Sequence, residues 1–217
     1  MVLHLAEHLE VPLRERNVFL VAAGYAPVFP ERTLADPTLG AARDAVELIL
    51  KGHEPYPALA IDRHWTLVAA NAAVTRLVAG IAPALLQPPV NVLRLSLHPE
   101  GLAPRIGNLE QWRAHLLARL RRQIDATADP VLIELLGELR GYVAGSGPGA
   151  NRRGGDEDDA GIVVPLRLVT ASGTLSLFSM TAVFGTPVDV TLSELALESF
   201  FPADAATVRA LHRLADA

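Results

Sequence analysis

The hydrophobic positions change their period four times along this chain. At the start they fall into two short helical groups, Leu3, Leu5 and Leu9, then Val18, Leu20 and Val21. Val11-Pro12 separates them. Pro12 suits a first helical position and Gly24 a helix end. Residues 25–37 contain Pro27, Pro30 and Pro37 and read as a linker. Leu39, Ala42, Val46, Ile49 and Leu50 then recur at helical spacing, which predicts a third helix over 38–51, stopped by Gly52.

From Pro55 the texture is different. Two apolar runs, 58–62 and 65–71, flank the polar turn Asp62-Arg63-His64 and predict a β-hairpin. Residues 72–79 continue as a helix ended by Gly80, and 81–98, broken by Pro83, Pro88 and Pro89, predict short helices. The best helix spans 108–127. Leu109, Trp112, Leu116, Leu120 and Ile124 form one stripe, with Arg113, Arg121 and Gln123 off it. Another helix follows over 131–139. Residues 145–161 hold six of the 16 glycines and the acidic run 156–159. Such a stretch is expected to be a disordered surface loop. After it the period is two: strands over 163–170 and 174–184, a weaker one over 195–201, then a helix over 203–217. Strands separated by a helical block pair into one antiparallel sheet with helices covering one face, an α+β fold. The crevice between block and sheet is the expected ligand position.

Composition narrows the function classes. At 217 residues the chain is one domain, or one with a small appendage. It has no cysteine, which removes disulfides, thiolate metal sites and cysteine nucleophiles. The net charge is −5, with 18 arginines against the single Lys51. That imbalance reads as coding bias, so the arginine excess, including the Arg113–Arg122 group, is taken as solvated surface and not phosphate binding. No apolar run reaches the ~18–20 residues that span a bilayer. Charge near the N-terminus interrupts any signal-like stretch. A soluble, cytoplasmic protein without membrane contact is expected.

The hairpin carries the first resemblance. In 58–73 an apolar strand ends in Asp62, a turn follows, a second strand ends in Asn71, and small residues open a helix. This resembles the opening of a PAS domain; the alternative is an ordinary hairpin. Either way, Asp62 can cap the turn and Asn71 the helix. The wider chain resembles the ligand-binding region of MmyB-like transcription regulators, which belong to the XRE-type helix-turn-helix group. The matching stretches are Val11–Asn17 with Ala22–Pro27, Glu54–Ala58 leading into the hairpin, and Asn91–Pro99. Asn108 with Trp112-Arg113, Pro165–Arg167, Thr181–Pro187, Asp189–Leu192 and Phe200–Asp204 continue it. It runs from residue 1 to about 210, in order, and leaves out 145–161.

The resemblance implies a PAS-like antiparallel sheet with a helical block on one face, preceded by N-terminal helices. Residues 1–24 would be exit helices of an N-terminal helix-turn-helix domain, 25–52 a linker and helix, and 53–217 the ligand-binding domain. DNA would be read by a domain outside this chain, which is then a truncated piece or begins at a late start site. It further implies a sensor, not an enzyme, with no cofactor, working as a homodimer on two-fold operators and binding a fatty-acid-like ligand. A carboxylate headgroup would want Arg or His. Asn91, Arg94 and His98 share one face if helical. They are the candidate anion anchor, and Trp112 the candidate pocket wall. The alternatives are that Arg94 pairs with a carboxylate such as Glu110 and that Trp112 is plain core.

Two other classes stay open. One is a ligand-free dimerisation module, which a filled core between sheet and helices would favour. The other is a zinc-dependent hydrolase, because His4-Leu-Ala-Glu7-His8 matches the H-x-x-E-H spacing of zinc peptidases. No third ligand is identifiable for it, and a solvated helix face is the simpler reading.

Overall fold

A computed structural model of the chain describes residues 1–34, 36–142, 164–185, 187 and 189–216. The expected 145–161 loop lies outside the described residues. Five strands, β1 (Ala58–Ile61), β2 (Leu67–Ala70), β3 (Leu166–Thr170), β4 (Gly173–Val183) and β5 (Ala196–Pro202), form one sheet. Its order is β2-β1-β5-β4-β3, and every pairing is antiparallel. The segments on either side of the helical block therefore meet at β1–β5, as the hydrophobic pattern required.

The hairpin turn is built by Asp62, whose Oδ1 accepts from the backbone N–H of His64 and of Thr66, each at 2.8 Å. Trp65 closes the turn at φ +65°, a conformation a bulky side chain rarely adopts. Its indole N–H donates to Gln123 Oε1 at 2.8 Å, and the ring is buried, which holds it there. Asn71 caps α4 (Ala72–Leu77), accepting from Val74 N at 3.3 Å. It also accepts from Ala58 N at 3.2 Å and donates to Leu50 O at 3.1 Å and Tyr56 O at 2.8 Å. One buried amide thus joins the end of one helix, the start of β1 and the start of another helix.

Alternation along the strands gives the sheet two dressed faces. Leu59 and Ile61 face the main core, filled by α5 (Val92–Leu97), α6 (Leu109–Thr127) and α7 (Pro130–Gly141). Leu93, Leu120, Leu132 and Leu139 are its most enclosed helical members. Ala58, Ala60 and Leu197 face the other way, onto Val46 and Leu50 of α3 (Gly40–Gly52). The helical block covers one face as expected, and α3 adds a smaller cluster on the opposite one. Small alanines at 58 and 60 let α3 approach closely.

The N-terminal segment is tied down more firmly than its proline content suggests. Helices α1 (Val2–His8) and α2 (Leu13–Ala22) form as predicted. Pro12 stands before α2 as its cap instead of inside it, and Gly24, at φ +83°, follows its end with Tyr25 N–H bonded to Leu20 O at 2.8 Å. Residues 28–32 then lie against α8 (Val190–Ser193), a helix the hydrophobic pattern did not foretell. Val190 N donates to Pro30 O at 2.9 Å, and fully buried Asp189 caps α8 while accepting from Arg32 at 3.3 Å. Arg14 bridges Glu31 and Glu194, and those hydrogen bonds raise its already high pKa. The chain closes with α9 (Ala205–Ala215), capped by Asp204, whose pKa is lowered by the Thr207 N–H it accepts.

Candidate ligand cavity

Helix α6 supplies the wall of an internal space. Trp112, Leu116 and Arg119 stand at i, i+4 and i+7, so they share one face. Opposite them come Leu59 of β1, Glu198 and Phe200 of β5, and Leu93 of α5. Together with α4 they line a partly open cavity of about 110 Å³, walled almost wholly by carbon. That is comparable to the roughly 150 Å³ apolar cavity that admits benzene. The core between block and sheet is therefore not filled.

The cavity has one polar end. Period two places Glu198 on the inward face of β5 beside Thr181 of β4 and Leu59 of β1. The carboxylate is 4% exposed, and its Oε1 accepts from Arg119 and, at 2.8 Å, from Thr181 Oγ1. Arg119 also donates to Thr181 Oγ1 at 3.2 Å, and its guanidinium lies 4.8 Å from the Trp65 ring centroid. Trp112 donates its indole N–H to Ser96 Oγ at 3.0 Å and stacks on His115 at 5.5 Å. Burial, with Arg119 and Arg122 nearby, lowers the His115 pKa below its ordinary 6.5, so the imidazole is neutral at pH 7.

The four residues singled out from the sequence do not all meet here. Trp112 lines the cavity. Asn91 caps α5, accepting from Leu93 N and Arg94 N, and its amide holds His64 O at 2.8 Å. Asn91 and Arg94 line a separate outer cleft of about 230 Å³ between α5 and α7. There Arg94 grips Glu138 through two nitrogens, at 2.8 and 2.7 Å, rather than Glu110. This pairing lowers the Glu138 pKa. His98 lines neither space. It stacks edge-on to Tyr142, whose phenol burial and Glu138 push up to about 12.

Arg119 and Glu198 were missed. Arg119 was grouped with solvated arginines, yet it shares the Trp112–Leu116 stripe. Arg113 turns inward as well, donating to Leu139 O and Arg140 O at the end of α7. His4 and His8 sit on exposed turns of α1 with rings 4.3 Å apart, and His8 Nδ1 contacts His4 O at 2.9 Å. Among the described residues no three His, Asp or Glu side chains gather as metal ligands.

A carbon-lined space with a single buried polar cluster, set inside a sheet-and-helix shell, defines a small-molecule-binding domain. Residues 42–214 match the family described as MmyB-like transcription regulator ligand binding domain. The chain belongs to this family, and its role is ligand binding within transcription regulation. No curated protein matches the chain. No helix among the described residues is long and apolar enough to cross a membrane.

Proposed function

We propose that this cavity is the sensing site of a bacterial helix-turn-helix regulator. It takes a small, fatty-acid-like apolar ligand, and its occupancy controls DNA binding by a helix-turn-helix region of the same regulator. The observation that carries this reading is the unfilled, carbon-lined space at a position where a structural module would pack solid. Trp112 is the pocket wall. Asn91 and Arg94 line a separate outer cleft and His98 lines neither space, so the headgroup is given to the cavity's own polar end at Arg119 and Glu198. Residues 53–217 are the sensing unit, 25–52 the connector and 1–24 the exit helices. A homodimer, cytoplasmic and free of membrane, would space two DNA-binding regions, and ligand would shift the population of one spacing.

Native mass spectrometry of freshly purified protein tests the reading directly, with an acyl-sized adduct as the expected result. Independently, a medium-chain ligand at a hundred times its Kd adds about 2.7 kcal/mol. For a chain of this size that raises Tm by roughly 5–10 °C. Both tryptophans line the cavity, so the same ligand should change their fluorescence. No adduct, no Tm shift and unchanged fluorescence across medium- and long-chain compounds would sink it.

A further inference from the structure

The polar end of the cavity already balances its own charge, and that has consequences for what can bind. Arg119 is the cation there, and Glu198 has taken it through Oε1, with Thr181 as the shared hydroxyl. Trp65 covers the guanidinium face. His115 adds no charge at neutral pH, and Arg122 lies exposed on the outer side of α6. The carboxylate itself is only half used. Among the described residues, hydrogen bonds reach Oε1 of Glu198 and none reaches Oε2. Glu198 lines the cavity with its charge already paired to Arg119, so an incoming headgroup meets a compensated pair and not a free cation.

We infer that Glu198 makes this cavity selective for a neutral, hydrogen-bond-donating headgroup, an alcohol or an un-ionised acid, and turns away the ionised carboxylate. The inference rests on the reading of the cavity as the ligand site and specifies its chemistry. A hydroxyl or COOH proton can use the spare acceptor capacity of the Glu198 carboxylate at no cost in net charge. A carboxylate brings a second anion next to Glu198, and the attraction of an already neutralised Arg119 does not offset the desolvation. An ammonium finds an acceptor but stands beside the Arg119 cation in a low-dielectric space. Thr181 keeps Glu198 aimed through its hydroxyl, which makes it a positioning residue.

The test uses three probes of one chain length, 1-octanol, octanoate and octylammonium, titrated into the full chain at pH 7.5 and read by tryptophan fluorescence and calorimetry. Octanol is expected to bind at least tenfold more tightly than either ion. In Glu198→Gln, octanoate should gain at least tenfold relative to octanol, because Arg119 is released from its counter-ion. Equal or tighter octanoate binding in the unmodified protein overturns the inference. So does octylammonium as the best binder, or a Glu198→Gln protein with unchanged octanoate affinity relative to octanol. If that variant fails to fold, as judged by circular dichroism, the unmodified protein still decides. Lowering the pH from 7.5 to 6.5 raises the un-ionised fraction of the acid about tenfold and should raise octanoate affinity in step. Octanol serves as the control for any titration of His115, whose pKa is lowered by burial and the neighbouring arginines. A flat octanoate profile overturns the proposal. Failure of all three probes to bind removes the cavity reading itself, and the inference with it.

Discussion

The protein contains two Arg–Glu pairs on opposite sides of its helical block, alike in chemistry and unlike in setting. Arg119–Glu198 bridges α6 and the sheet, with side chains 21% and 5% exposed. Arg94–Glu138 bridges α5 and α7, with side chains 44% and 37% exposed. The outer pair has the better geometry, two nearly parallel N–H···O bonds. The inner pair has the larger stake in the fold. In water an ion pair competes with good solvation on both partners, and little remains as net stability. Beside a carbon-lined cavity buried Glu198 has little solvent to fall back on, so losing Arg119 leaves it stranded. Exposure, more than the quality of the contact, decides which pair matters.

The largest expected effect comes from stranding the buried acid. Arg119→Met should lower unfolding free energy by about 3 kcal/mol in urea denaturation. A loss below about 1 kcal/mol would erase the distinction between the two pairs. Next in size is the repair: adding Glu198→Leu to Arg119→Met should recover most of that loss, since replacing both partners removes the unpaired group. A double variant no better than the single one would mean that Arg119 acts through packing and not through its partner. Third, Arg94→Met should cost no more than about 1 kcal/mol, and less still at high salt. The inner pair should hardly respond to salt.

The smallest effect is a pH dependence. Arg94, through its hydrogen bonds, depresses the folded-state pKa of Glu138 below the ordinary 4.5. A depressed carboxylate stabilises the fold above its unfolded pKa, and that contribution fades as pH falls toward the folded value. Stability should therefore drop below about pH 4.5. The drop should be shallower in Arg94→Met, measured as urea midpoint against pH. Identical slopes would mean that the outer pair carries no linkage at all.

The elements themselves were legible because local rules governed them. Asp62 and Asn71 do what their positions in the hairpin demand, and Gly24 and Gly80 both take positive φ behind their helices. The family resemblance was legible for the same reason, since its stretches follow these turns and caps. The polar end of the cavity was harder to see, though a signal existed. Arg119 is three residues beyond Leu116 on a stripe already drawn, and Glu198 interrupts the inward phase set by Ala196 and Phe200. Composition argued the other way: with 18 arginines, one more on a long helix looks like surface. Arg94 illustrates a different limit. Its partner lies 44 residues away on α7, and no periodicity within α5 can choose Glu138 over Glu110. The short α8 was invisible because its capping Asp189 is buried by Arg32 and Pro30 from the far end of the chain, a tertiary circumstance.

The segment that enters β5 has one more property. Four residues before Glu198, Glu194 holds Arg14 of α2 through hydrogen bonds of 2.6 and 3.0 Å. A polypeptide bends readily but does not lengthen, because its Cα spacing is set by covalent geometry. Glu198 and Glu194 are thus two fixed points on one inextensible span, the first inside the cavity and the second moored to the N-terminal helices. The strand that carries Glu198 to the cavity wall is therefore bonded, four residues upstream, to the N-terminal helices.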